Sequence, residues 1–355
     1  MTDRTGRNVA PFAALALVAA LLSAAPARAA DIVLTETGST LLLPLFDVMV
    51  PEFMKRHDGI QIKTAGSGSE DGELQAFSGQ VTFGGSDAYM SDTQVRSNTD
   101  FVDIPLAISA QTINYNVPGL NQINLRLDGA TIAGIYRGDI REWDAPAIAA
   151  LNPGVQLPHL TIVPVHRGEG SGDTFVFSQF LSFSSPKWEL DKDYGTTIDW
   201  PKVPGAIAAT GNDGMEKTIE ATPGAIGYLG ISYADMAQAG KIGTAMLKNE
   251  AGQFVMPTDE TIMAGAVALG VRTPADERLS LVYGPGERSY PLVNYEYVVV
   301  STKQQDPAVA AAIRRFLLWM ILPSEENGEY LERVHFVPLP PHIWELSQAQ
   351  IQQIR

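Results

Sequence analysis

Short apolar runs with β-branched residues alternate with helical patterns along most of the chain. Ile32 to Leu34 reads as a strand before a helix at Leu41 to Met54. Ile60 to Thr64 stands before a helix at Asp71 to Phe77, and Ile162 to Val165 before one at Thr174 to Phe183. Strands that alternate with helices make parallel sheets flanked by helices, so the pattern predicts an α/β fold. Two runs break the alternation. Leu106 to Tyr115 is longer and β-rich with no helix behind it, and Tyr295 to Val300 is a second such run far downstream. Both are candidate crossovers between two lobes. Apolar residues recur at helical spacing from Pro307 to Ile321, predicting a last long helix over the first lobe. Between Ser184 and Pro204 the chain is rich in turn formers, with Trp188 and Trp200 as packing anchors.

The N-terminus follows a different pattern. Arg4 and Arg7 precede an apolar run from Val9 to Leu22, and Ala27-Arg28-Ala29 offers the small residues of a leader-cleavage site. The run is shorter than the roughly 20 residues that span a bilayer. Residues 1–29 therefore read as a signal peptide cleaved near Ala29, and the remainder as a secreted, periplasmic protein. Its length and 45% apolar composition suffice for two cores. The net charge of −15 excludes nucleic acid as a natural partner. The absence of cysteine excludes disulfides, thiol catalysis and a lipidated Cys.

Candidate chemistry lies in three Gly/Ser turns, each between a strand and a helix: Glu36 to Thr40, Gly66 to Ser69, and Gly168 to Thr174. The first turn of a helix presents unpaired N–H groups and partial positive charge, and glycine lets an anion approach them. Ser39, Thr40, Ser69, Ser171 and Thr174 add hydroxyls, although a serine there is also an ordinary helix cap. Arg167 directly precedes the third turn with a guanidinium fork suited to an oxyanion. Asp87, after Gly84-Gly85-Ser86, and Asp173, inside the third turn, would repel a fully ionised anion but can accept a proton from a partly protonated one. Arg167 is expected to pair with Asp87 and so keep it ionised. Asp173 is a possible second acceptor, which would strengthen affinity modestly below pH 7.

No Gly-x-Ser-x-Gly or Walker loop occurs, and the five histidines form no helical ligand pair. His166 reads as packing beside the site. No catalytic residue, metal or cofactor is expected.

Several segments carry a family resemblance: Glu36 to Leu42, Gly85 to Tyr89, Ala107 to Gln111, Asn114 to Gly119, Gly170 to Phe175, Thr222 to Tyr228 and His335 to Pro340. With them the chain resembles the periplasmic phosphate-binding component of the ABC-type phosphate importer, the PstS family. The resemblance implies a two-lobed periplasmic binding protein fold of type II. Each lobe would be a mostly parallel sheet flanked by helices, joined by a two-strand hinge. Lobe I would comprise residues 30–116 plus 296–355, and lobe II residues 117–295. It implies ligand contacts from Ser39, Thr40, the backbone of Leu41, Ser69, Asp87, Arg167, Ser171, Gly172 and Asp173. It also implies a monomer that hands inorganic phosphate to membrane permease subunits. Receptors for another oxyanion such as arsenate, and a secreted phosphatase using Ser171, remain the alternatives at this point.

Overall fold

The computed structural model describes residues 31–355 apart from Ala237, Gln238 and Gly240. The expected signal peptide, residues 1–29, lies outside the described residues.

The strands are β1 (Ile32–Gly38), β2 (Ile60–Lys63), β3 (Phe83–Ser86), β4 (Phe101–Tyr115), β5 (Arg126–Leu127), β6 (Val163–Arg167), β7 (Ile207–Ala209), β8 (Ala225–Gly230), β9 (Gly243–Thr244), β10 (Met246–Lys248), β11 (Phe254–Val255) and β12 (Val293–Ser301). One sheet runs β2-β1-β3-β12-β4-β8-β6-β7, with β9 added on β4. Its two wings are parallel: β2-β1-β3 on one side and β8-β6-β7 on the other. Between them, β12 is antiparallel to both β3 and β4, and β4 is antiparallel to β8.

The β-rich run around Leu106 explains how one sheet serves two halves. Strand β4 pairs with β12 up to Ala110 and with β8 from Gln111 onward. Its residues from Asp103 to Tyr115 are buried, as a strand flanked on both faces must be. The two-lobed α/β architecture follows, with β4 shared by both halves.

Helices cover the wings where the apolar spacing predicts them. Leu43–Arg56 buries Leu45, Phe46, Met49, Val50 and Phe53, and Pro307–Met320 packs Phe316 edge-on against Phe53 at 5.0 Å. In the other half, Gly172–Ser184 buries Phe177 and Phe180, and Phe177 stacks on Tyr228 at 4.3 Å. Trp188 is buried, and Trp200 stacks on His166 at 4.7 Å, so both tryptophans anchor the turn-rich segment. Each wing thus delivers the carboxyl ends of its parallel strands, and the helix starts that follow, to a common cleft, the usual ligand position in open α/β sheets.

Candidate functional site

The three turns meet. At Gly38, φ is +150° and a side chain would run into the Gly85 backbone, so only glycine lets the first turn lie against the end of β3. At Gly68, φ is +99° and a Cβ would stand 2.6 Å from the Gly170 carbonyl, which brings the second and third turns into contact. A Cβ on Gly172 would similarly lie 2.6 Å from Asp87 Oδ2. The glycines of these turns therefore set how closely the two halves approach.

Asp87 is the meeting point on one side. Its Oδ1 accepts the Ser39 hydroxyl, its Oδ2 accepts the Ser69 hydroxyl at 3.3 Å, and its own amide donates to Ser69 Oγ at 3.3 Å. Ser39 Oγ also caps the following turn, accepting the amides of Leu41 and Leu42 at 3.0 Å each. The Leu41 amide is thus engaged within its own turn. Ser69 opens the helix Ser69–Phe77, which carries Glu70 and Asp71 in its first turn.

Arg167 closes the other side, 2% exposed at the end of β6. Its Nη1 donates to Asp173 Oδ2 at 2.5 Å, and its Nε donates to Glu169 Oε1 at 2.6 Å. The expected ion pair with Asp87 is not the one formed. Asp173 stands six residues after Arg167, on the first turn of the next helix, and the chain folds it directly under the guanidinium. Ser171 caps that helix by accepting the Thr174 amide at 3.3 Å. Gly172 and Asp173 supply first-turn amides, which a helix does not pair internally.

The electrostatics are those of buried groups. Burial pushes Asp87 up, with the Ser39 and Ser69 hydroxyls and the Arg167 charge pulling it back. Burial and the nearby Asp87 push Asp173 up to about 7, against Arg167 and Asn212. For Arg167, burial opposes the charge, but Asp173 and Glu169 outweigh it and hold the guanidinium above its ordinary range.

Ser39, Thr40, Leu41, Ser69, Asp87, Arg167, Ser171, Gly172 and Asp173 therefore gather in one region, buried except for the half-buried Thr40. Residues not singled out in the sequence gather with them. Asn212, at the start of the helix Gly211–Ala221, donates to Thr40 Oγ1 at 3.0 Å and to Asp173 Oδ2 at 2.8 Å, and accepts the Gly230 amide at 2.8 Å. Gln111 donates to Asp173 Oδ1 at 3.2 Å. Glu169 accepts the Gly211 amide at 2.8 Å besides binding Arg167. The signal for Asn212 is present as a fourth strand, glycine turn and helix, at Ile207 to Asn212. Glu169 lies within the third turn itself. His166 touches the site only through the chain, its Nδ1 against the Arg167 carbonyl at 2.9 Å.

Comparison with known proteins shows what the chain is similar to. The PBP superfamily domain matches residues 22–325. The phosphate-binding protein PstS of Xylella fastidiosa is 30% identical over 313 residues, covering 88% of this chain and 83% of the relative. PstS 3 of Mycobacterium leprae is 32% identical over 317 residues, covering 86% and 83%. Among solved structures, the phosphate-binding protein of Stenotrophomonas maltophilia superposes with a TM-score of 0.70 at 19% identity, over 90% of this chain and 94% of that one.

Proposed function

The chain belongs to the PBP superfamily and, within it, to the PstS phosphate-binding proteins, and from that premise we propose that it captures inorganic phosphate in the periplasm and delivers it to the permease of an ABC-type importer. The observation that carries this reading is the pairing of opposite functions in one buried site. Arg167, serine and threonine hydroxyls and helix-start amides attract an oxyanion, while the buried carboxylate of Asp87 offers an acceptor. An acceptor at contact favours an anion that still carries a proton, as phosphate does near neutrality and sulfate does not.

Binding is non-covalent in this reading. Ser171, the residue a phosphatase would need as nucleophile, accepts the Thr174 amide as a helix cap, and the residues around it supply no activating base of the histidine type. The two lobes, residues 30–116 plus 296–355 and residues 117–295, move about the β4 and β12 crossovers and close on the ligand. Support comes from the change of partner along β4. The closed form is what the importer recognises, and the receptor works as a monomer. The leader is removed near Ala29 on export, which mass analysis of the secreted protein would test.

Calorimetric titration of the mature protein with phosphate and with sulfate, alongside Asp87→Asn, tests the function. Tight one-to-one phosphate binding with sulfate excluded, and discrimination narrowed in the variant, is the expected result. Equal binding of the two anions, or of neither, would remove phosphate as the ligand.

A further inference from the structure

Antiparallel pairing of β3 with β12 sets Ser86 opposite Tyr297, so the next residue along, Asp87, comes opposite Glu296. Glu296 is fully buried at the point where the register of β12 with β4 shifts, an irregularity that re-aims side chains. Its Oε1 accepts the Ser109 hydroxyl and, at 2.8 Å, the side-chain Nδ2 of Asn294. Its Oε2 receives no donor among the described residues. The register thus makes Glu296 and Asp87 neighbours, both buried, and each acts on the ionisation of the other. Arg167, the cation of the site, is engaged by Asp173 and Glu169 instead.

Two buried carboxylates in contact cannot both ionise at modest cost, so the pair retains a proton. The surroundings decide where it resides. Asp87 receives two serine hydroxyls and faces Arg167, all favouring its charge. Glu296 has an oxygen without a donor, and a proton of its own is what would let it bond to Asp87. The other charged groups acting on the pair are Asp173 and Arg167, from the other half, and Glu73 on the helix Ser69–Phe77.

We propose that Glu296 is a positioning residue of the anion site: its carboxyl group keeps its proton and through it donates a hydrogen bond to Asp87, holding that carboxylate ionised and aimed at the proton of the ligand. The inference rests on the phosphate reading above for its consequence in binding. The location of the proton can be tested without any ligand.

The experiment compares the wild-type protein with Glu296→Gln and Glu296→Leu. Glu36, Glu73 and Glu277, also raised by burial, contribute equally to both proteins, so subtracting the pH 7 infrared spectrum of unliganded Glu296→Gln from that of unliganded wild type should leave one positive carboxylic-acid carbonyl band. In calorimetric titration with phosphate, Gln, which can donate to Asp87 and accept from Ser109 and Asn294, should bind within about threefold of wild type. Leu should weaken phosphate binding about tenfold or more and narrow the margin over sulfate. A wild-type-minus-Gln spectrum with no carboxylic-acid band, or Gln weakening phosphate as much as Leu, would overturn the proposal. If wild type bound no phosphate, the functional reading would fall, while the infrared comparison would still decide where the proton resides.

Discussion

Thr40 and Asn212, 172 positions apart, meet across the cleft, with Asn212 Nδ2 donating to Thr40 Oγ1 at 3.0 Å. The same amide group reaches Asp173 Oδ2 at 2.8 Å, so one side chain ties the first turn, the third turn and the helix Gly211–Ala221 together. Such a residue acts on the ligand through the shape of the closed site.

Replacing Asn212 by Ala should therefore weaken phosphate binding by about tenfold and lower stability by about 2 kcal/mol, since several buried hydrogen bonds are lost together. Titration calorimetry and thermal melting check both. Unchanged affinity would mean that the Thr40 contact is incidental to closure.

The second prediction concerns pH. Asp173, pushed up to about 7, loses its charge as the solution is acidified through neutrality. That removes a negative charge facing the incoming anion and loosens the claim of Asp173 on Arg167. Phosphate affinity should rise by about two- to tenfold from pH 8 to pH 6 once the ionisation of phosphate itself is subtracted. Asp173→Asn should flatten the profile. The direction matches the expectation from sequence, but the cause differs: Asp173 is the ion-pair partner of Arg167, a part assigned to Asp87 from the sequence.

That reassignment shows what a single sequence conveys about this site. The three turns were legible because each is contiguous: glycine, hydroxyl residue and helix start lie within a few positions of one another. The α/β alternation and the long β4 run were legible for the same reason, since period and length are local. Partner choice was not. Whether Arg167 turns to Asp87 or Asp173 depends on how β6 and its helix place them in space. Glu296 reaches Asp87 only through the β3 to β12 register, so nothing local marks it.

Glu36 offers a test of stability. It is buried on β1 with neither carboxylate oxygen in hydrogen-bond geometry, although the amides of Ala65 and Gly85 lie near enough to favour its charge. Burial nevertheless pushes it up to about 8, and pushes Glu73 and Glu277 up to about 7. A carboxyl raised on folding contributes stability that is complete below its unfolded pKa, near 4.5, and is lost as pH rises through the folded value. The phosphate-free protein should be most stable in mild acid and weaken from about pH 5 to pH 8. Glu36→Gln should remove on the order of 2 kcal/mol of that decline. Melting curves across this range would read it, and a decline of the same size in the variant would exclude Glu36 as its source.

At the mouth of the cleft, Glu70 on the helix Ser69–Phe77 accepts hydroxyls from Thr196 at 3.0 Å and Thr197 at 2.8 Å, across the boundary between the wings. Both bonds end on one oxygen, Oε2, beside the close approach of Gly68 to Gly170. Thr196 also fixes the third turn, its carbonyl accepting the Ser171 amide at 2.9 Å. The pair of threonines thus connects Glu70 to the helix start that carries Gly172 and Asp173. If these bonds hold the closed form, replacing both threonines by Val should leave the fold intact, because methyl replaces hydroxyl at similar volume and both positions retain solvent contact. Phosphate should then dissociate about five- to tenfold faster, with association nearly unchanged, since bonds made only after closure act on release. Stopped-flow release of phosphate to a fluorescent trap would measure this. A change confined to association would instead place Glu70 and the threonines in the encounter step.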